Sequence, residues 1–125
     1  MNLKIIIAGS RTITDYNELI SALRNATAEN FFQPANTIEI VSGGAKGVDM
    51  LARKYALESD YKLTEMKPEY KGKNDRGAPL RRNKDIANYG DLLLAIWDGK
   101  STGTKDIIEY TKKLGKPVYI HYVDI

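Results

Sequence analysis

The stretch Ile40-Val41-Ser42-Gly43-Gly44-Ala45-Lys46-Gly47-Val48-Asp49 decides how the chain is read. It closes a short β-branched run, Thr37 to Val41, with a turn of small residues. It then opens a segment whose apolar residues Val48, Leu51, Ala52, Tyr55 and Ala56 fall at helical spacing. Strand, glycine-rich turn and helix N-terminus thus follow one another directly. Such a junction aims unpaired backbone N–H groups and the positive end of a helix dipole at one point, and glycines remove the Cβ atoms that keep a phosphate away. Taken alone, the turn reads equally as an anion or nucleotide site and as a plain connection in which glycine serves only geometry.

The flanks repeat the pattern. Leu3 to Ala8 is apolar except for Lys4, as in a central strand buried on both faces of a parallel sheet, and it ends in the small-residue turn Gly9-Ser10-Arg11. Asp15 and Glu18 have capping-box spacing ahead of a helix with Tyr16, Leu19, Ile20 and Leu23 as its apolar stripe. Asn30 to Asn36, with Pro34, connects to the second strand. Tyr61 to Met66 is a third, more exposed strand that Pro68 ends. Glu69 to Ala78 is polar, and a loop of that length in a compact domain is more often functional than idle. Pro79 suits the start of a helix that carries Arg81, Arg82 and Asn83 in its first turn and runs to about Tyr89. Asp91 to Trp97 is a second strongly buried strand, followed by the flexible turn Asp98 to Thr104. From Thr104 a last helix turns Ile107, Ile108, Thr111 and Leu114 inward, Gly115 and Pro117 stop it, and Pro117 to Tyr122 is the final strand.

Strands alternating with helices imply an α/β fold, a doubly wound, mainly parallel sheet of about five strands with helices on both faces. Ligands on such sheets bind at the carboxyl ends of the strands, where the strand order reverses. The first and fourth strands, the most hydrophobic, are expected as central neighbours there. The turns at Gly9, Gly43 to Gly47, and Asp98 to Thr104 then share one edge, which favours the phosphate reading of the glycine turn.

At 125 residues the chain suits one domain, 1–125, with a real core. Its 42% hydrophobic and 28% charged residues are ordinary for a soluble protein. The absence of cysteine excludes disulfides, zinc-thiolate sites and a thiol nucleophile. No signal peptide opens the chain and no apolar run approaches the roughly 18 residues of a membrane span, so a cytoplasmic protein with no membrane partner is expected. A net charge of +3 does not by itself indicate nucleic acid. Lys71, Lys73, Arg76, Arg81, Arg82 and Lys84 do crowd one stretch. Such a run is usually a solvated face, and becomes informative only if it lies beside the glycine turn.

The series Ala8-Gly9-Ser10-Arg11, Val41 to Asp49 followed by Leu51-Ala52, Arg82-Asn83, Gly103-Thr104 and Gly115-Lys116-Pro117-Val118 resembles the SLOG superfamily, and within it the small YspA-like group, the DUF2493 domain. The resemblance runs along essentially the whole chain in order. It implies a Rossmann-like domain that binds nucleotides or nucleotide-derived ligands, as a sensor or sequestering module, and that forms homo-oligomers. Relatives include the Lonely guy phosphoribohydrolases, the DNA-processing protein A that binds single-stranded DNA, and ligand-sensing modules of bacterial conflict systems. The phosphoribohydrolase signature has two glycines before Gly-Thr and a glutamate three residues after the threonine. Here those places hold Ser101-Thr102 and Ile107. An isoleucine cannot stabilise the positive charge that develops on a ribose, and Asp106, one residue around the helix, is expected to point away. Hydrolysis of an N-glycosidic bond is therefore the weaker alternative, with Arg82, Asp49 and Asp98 as its candidate catalytic residues. Single-stranded DNA is a further alternative, set against the small charge excess and the short basic stretch.

The expected ligand residues are Gly9, Ser10, Arg11, Ser42, Gly43, Gly44, Ala45, Lys46, Gly47, Asp49, Arg82, Asn83, Gly103 and Thr104. The ligand is expected to be a nucleotide or an ADP-ribose-like molecule, with no cofactor required and no metal. Asp49 suits a ribose hydroxyl or simply the dipole of its helix. Basic residues at a helix start are disfavoured unless an anion is present, which favours a ligand role for Arg81 or Arg82. Thr104 is read as capping the last helix while touching a phosphate. Trp97 fits the core better than a base-stacking role, and His121, the only histidine, reads as structural.

Overall fold

The computed structural model describes residues 2–32 and 37–124. Strands β1 (Asn2–Gly9), β2 (Thr37–Ser42), β3 (Lys62–Glu65), β4 (Leu92–Trp97) and β5 (Val118–Tyr122) alternate with helices α1 (Tyr16–Ala28), α2 (Val48–Glu58), α3 (Ala78–Tyr89) and α4 (Thr102–Lys113). Most of the connection expected to hold Pro34 lies outside the described residues. All pairings are parallel and the sheet order is β3-β2-β1-β4-β5. The doubly wound expectation is met, and the two most apolar strands are the central neighbours, with Ile6 opposite Leu93 and Ile7 opposite Leu94.

Alternation along the strands divides the core between the two faces. Ile5, Ile7, Ile40, Leu94 and Ile96 meet Leu19, Leu23, Val48, Leu51 and Ala52 of α1 and α2. Ile6, Val41, Leu93 and Ala95 meet Ile86, Ile107 and Ile108 of α3 and α4. The chain builds outward from β1 through β2 to β3, then returns to place β4 on the other side of β1. The switch point therefore lies between the tips of β1 and β4.

Several local expectations change. Asp15 caps α1 by accepting from the Asn17 amide at 2.9 Å, but Glu18 does not complete a reciprocal box; its carboxylate faces His121 of β5 at 3.8 Å. Helix α3 starts at Ala78, so Arg81, Arg82 and Asn83 lie beyond its first three residues, and the dipole argument for an anion there loses its force. Helix α4 starts at Thr102 with Ser101 as N-cap, so Thr104 is not the cap. Leu114 is not inward but 37% exposed at the end of α4.

Candidate ligand site at the switch point

Two adjoining cavities open at the carboxyl edge. The larger, about 750 Å³, lies between the tip of β1, the turn after β2, α3 and the start of α4. The smaller, about 300 Å³, lies between the glycine turn and the segment after β3. Arg11, Gly43, Ala45 and Arg82 line both and form a waist between them.

The glycine turn is held largely by its own residues. The Gly44 amide donates to Ser42 Oγ at 3.3 Å, the Ala45 amide to Asp49 Oδ2 at 3.1 Å, and the Val48 amide to the Ser10 carbonyl at 3.3 Å. Gly47, at φ 74°, lets this turn lie on the backbone of Arg11: a Cβ there would stand 2.5 Å from Arg11 Cα. Ser10 is buried and accepts from the Asp98 amide at 3.1 Å, tying the turns after β1 and β4 together. Of the expected ligand residues, Gly9, Arg11, Gly43, Ala45, Asp49, Arg82, Asn83, Gly103 and Thr104 line the larger cavity, and Gly44 lines the smaller. Ser10, Ser42, Lys46 and Gly47 line neither, and the contacts of Ser10, Ser42 and Gly47 are those that hold the turn. Asp98 also lines neither cavity. Its carboxylate accepts from the Ser101 and Lys100 amides, both at 2.8 Å, and these bonds hold it below the usual carboxylate range.

Two groups of opposite charge meet beside Gly43. Arg82 reaches from α3 to donate to the Gly43 carbonyl at 2.8 Å, and its guanidinium covers the face of Gly43 that a Cβ would occupy. Burial lowers its pKa, opposed by the charge of Asp49. Asp49 is buried, which pushes its carboxyl above the usual range against the Ala45 amide, Arg82, Ser42 and Arg11. Two desolvated opposite charges thus share the centre of the cleft.

The start of α4 forms the far wall. Thr102, Gly103 and Thr104 line the larger cavity, and no side chain caps this helix or brings an acid to its first turn, so its positive end faces the cleft. Asn83, buried on α3, donates to the Gly103 carbonyl at 3.2 Å and to Asp106 Oδ2 at 3.1 Å. Asp106 and Ile107 both line the cavity, so the carboxylate expected to point away faces the site. Its only sequence signal was its place beside Gly103-Thr104.

Of the basic stretch, Arg76 and Arg82 reach the cleft. Arg81 instead pairs with Asp75 at 2.5 Å, which meets its charge without a ligand. Trp97 lines neither cavity; it donates to the Ser101 carbonyl at 3.0 Å and packs against Tyr122. Among the described residues no cluster of His, Cys, Asp or Glu is arranged to hold a metal ion, and no helix is long and apolar enough to cross a membrane.

Residues 3–72, from β1 to the segment after β3, match the family described as YspA, cpYpsA-related SLOG. The chain belongs to that family. The matched span includes the glycine turn and Arg11, while Arg82, Asn83 and the start of α4 lie beyond it. This SLOG chain is 28% identical over 123 residues to the gene 61 protein of Mycobacterium phage D29, covering 92% of itself and 93% of that relative. Its fold is similar to that of DNA processing protein A from Streptococcus pneumoniae (TM-score 0.73, 19% identity, 98% of this chain) and from Helicobacter pylori (0.69, 23%, 94%). The chain spans 51% and 64% of those two proteins. TM1055 is also similar in fold, at TM-score 0.65 and 18% identity, over 93% of this chain and 72% of its own.

Proposed function

We propose that this protein binds a nucleotide or nucleotide-derived small molecule in the switch-point cleft, as a sensor or sequestering module. One observation carries the proposal: Arg11, Arg76 and Arg82 converge with the uncapped N-terminus of α4 on one cavity at the β1/β4 switch point. Guanidinium groups and helix N-terminal amides both recognise phosphate, and the apolar wall of Ile86, Pro79 and Leu80 suits a base or sugar face. SLOG membership supports the same class of ligand. The test is thermal melting of the protein against AMP, ADP, ADP-ribose, NAD and a short DNA oligomer, with recovered ligands analysed by mass spectrometry. A nucleotide that binds only the folded state raises the melting temperature with its concentration, and no shift with any of them would reject the proposal.

Asp106 favours a second reading. A carboxylate fixed by Asn83 inside the cleft supplies what Ile107 lacks, a group able to stabilise positive charge on a ribose. Ligand recovered as free base, with cleavage lost in Asp106→Asn, would establish the hydrolase. The DNA processing proteins share the fold, and the Helicobacter pylori protein is described as binding single-stranded DNA. A shift with the oligomer alone, falling steeply with salt, would move this protein to that class.

A further inference from the structure

The smaller cavity adjoins the larger one at the waist. It shares Arg11, Gly43, Ala45 and Arg82 with the larger cavity and is walled further by Gly44, Lys67, Pro68 and Tyr70. Its shape depends on a close approach. Gly44 sits at φ 71°, and a Cβ there would press on the Lys67 side chain, 3.0 Å from Cε. Tyr70 is 60% exposed although it is a large aromatic, and it lines this cavity together with Arg82.

The segment bearing Tyr70 is built rather than loose. Asp75 accepts from the Lys71 amide at 2.9 Å and the Gly77 amide at 3.2 Å and pairs with Arg81 of α3. Hydrogen bonding to Arg81, with the Lys71 amide second, holds Asp75 down at about 2, so this knot stays tied at neutral pH. One loop thereby presents Arg76 to the larger cavity and Tyr70 to the smaller.

The charges are sorted along the cleft. The waist carries Arg11 and Arg82; the larger compartment adds Arg76, the carboxylates of Asp49 and Asp106 and an apolar wall; the smaller adds an aromatic ring and an ammonium group. We propose, resting on the nucleotide reading above, that the ligand spans both compartments: a pyrophosphate-linked dinucleotide whose phosphates lie at the Arg11–Arg82 waist, with one nucleoside in the larger cavity and the second base against Tyr70. The guanidinium groups of Arg11 and Arg82 at the waist can each pair with one phosphate of a pyrophosphate, and an exposed tyrosine beside a guanidinium is a stacking platform for a base. A mononucleotide leaves the smaller compartment unused.

The experiment is calorimetric titration of the whole protein with AMP and with diadenosine diphosphate, in the native sequence, Tyr70→Ala and Tyr70→Phe. Stacking of one base predicts that the dinucleotide binds about tenfold or more tighter than AMP. Tyr70→Ala removes most of that advantage without changing AMP affinity, and Tyr70→Phe, which keeps the ring, restores it. Equal affinity for the two ligands, or an equal loss for both on Tyr70→Ala, overturns the two-compartment ligand while leaving nucleotide binding intact. Failure of both ligands to bind overturns the underlying reading as well.

Discussion

Gly43 and Gly47 stand in one turn yet answer to different neighbours. Gly43 makes room for the Arg82 guanidinium, while Gly47 makes room for the backbone of Arg11. Because Gly47 combines positive φ with contact to main chain that cannot move aside, Gly47→Ala should destabilise the protein by about 2 kcal/mol or more in urea unfolding. Gly103 faces open space inside a helix, so Gly103→Ala should leave stability unchanged or raise it by up to about 1 kcal/mol. A Gly47→Ala variant as stable as the native protein would contradict the close packing. Asp49 gives a pH signature. Burial raises its carboxyl in the folded state, so the folded protein holds that proton more tightly than the unfolded chain does. Its contribution to stability is therefore greatest below the ordinary aspartate value and declines as pH rises through the folded value. Asp49→Asn should remove this decline. Relative to the native protein, the variant should gain stability as pH rises above the ordinary aspartate value of about 4 in urea titrations; a constant difference would contradict a raised Asp49. At this scale the sequence was an incomplete guide. A Ser-Gly-Gly-Ala run looks the same whether its amides face a ligand or are met by Ser42 and Asp49. Asp106 was misjudged because the helical-wheel argument assumed that the cleft faced Ile107 alone, whereas it opens at the α3–α4 seam and takes in both residues.

Among the elements, the strands and the starts of α1 and α2 were legible, whereas the start of α4 was not. The apolar runs of β1 and β4 could belong only to buried central strands, and that expectation holds to within a residue. Ser101-Thr102-Gly103 carries loop chemistry, so nothing in its propensity shows that α4 already begins at Thr102. Helix α3 starts at Ala78, one residue before the expected Pro79, and that single residue leaves Arg82 past the first turn. Lys116, one of the residues that carry the family resemblance, has a structural use that only the fold displays. Its ammonium donates to the carbonyls of Ala87 and Asn88, each at 2.8 Å, and of Gly90 at 2.7 Å, closing the C-terminal end of α3. Lys116→Ala should cost about 1–3 kcal/mol in denaturant unfolding, against at most about 0.5 kcal/mol for the exposed Lys113→Ala. Equal effects would show that the three carbonyls are satisfied without this ammonium.

For the molecule as a whole, the order of strands does most to place the site. Because β4 returns to the far side of β1, the turns after β1, β2 and β4 meet at one edge, and three arginines from separate segments face one cavity. That convergence was legible in outline from the alternation of strands and helices. The division into two compartments was not, since Lys67 and Tyr70 come from a polar loop with no periodicity to orient them. The most direct test is the melting shift produced by ADP-ribose in the native protein and in Arg11→Ala, which removes an exposed guanidinium from both compartments. At a ligand concentration a hundred times Kd, binding stabilises the folded state by about 2.7 kcal/mol. A nucleotide site at the switch point predicts a clear rise in the native protein and a much smaller one in Arg11→Ala; no rise in the native protein, or an equal rise in both, would contradict it.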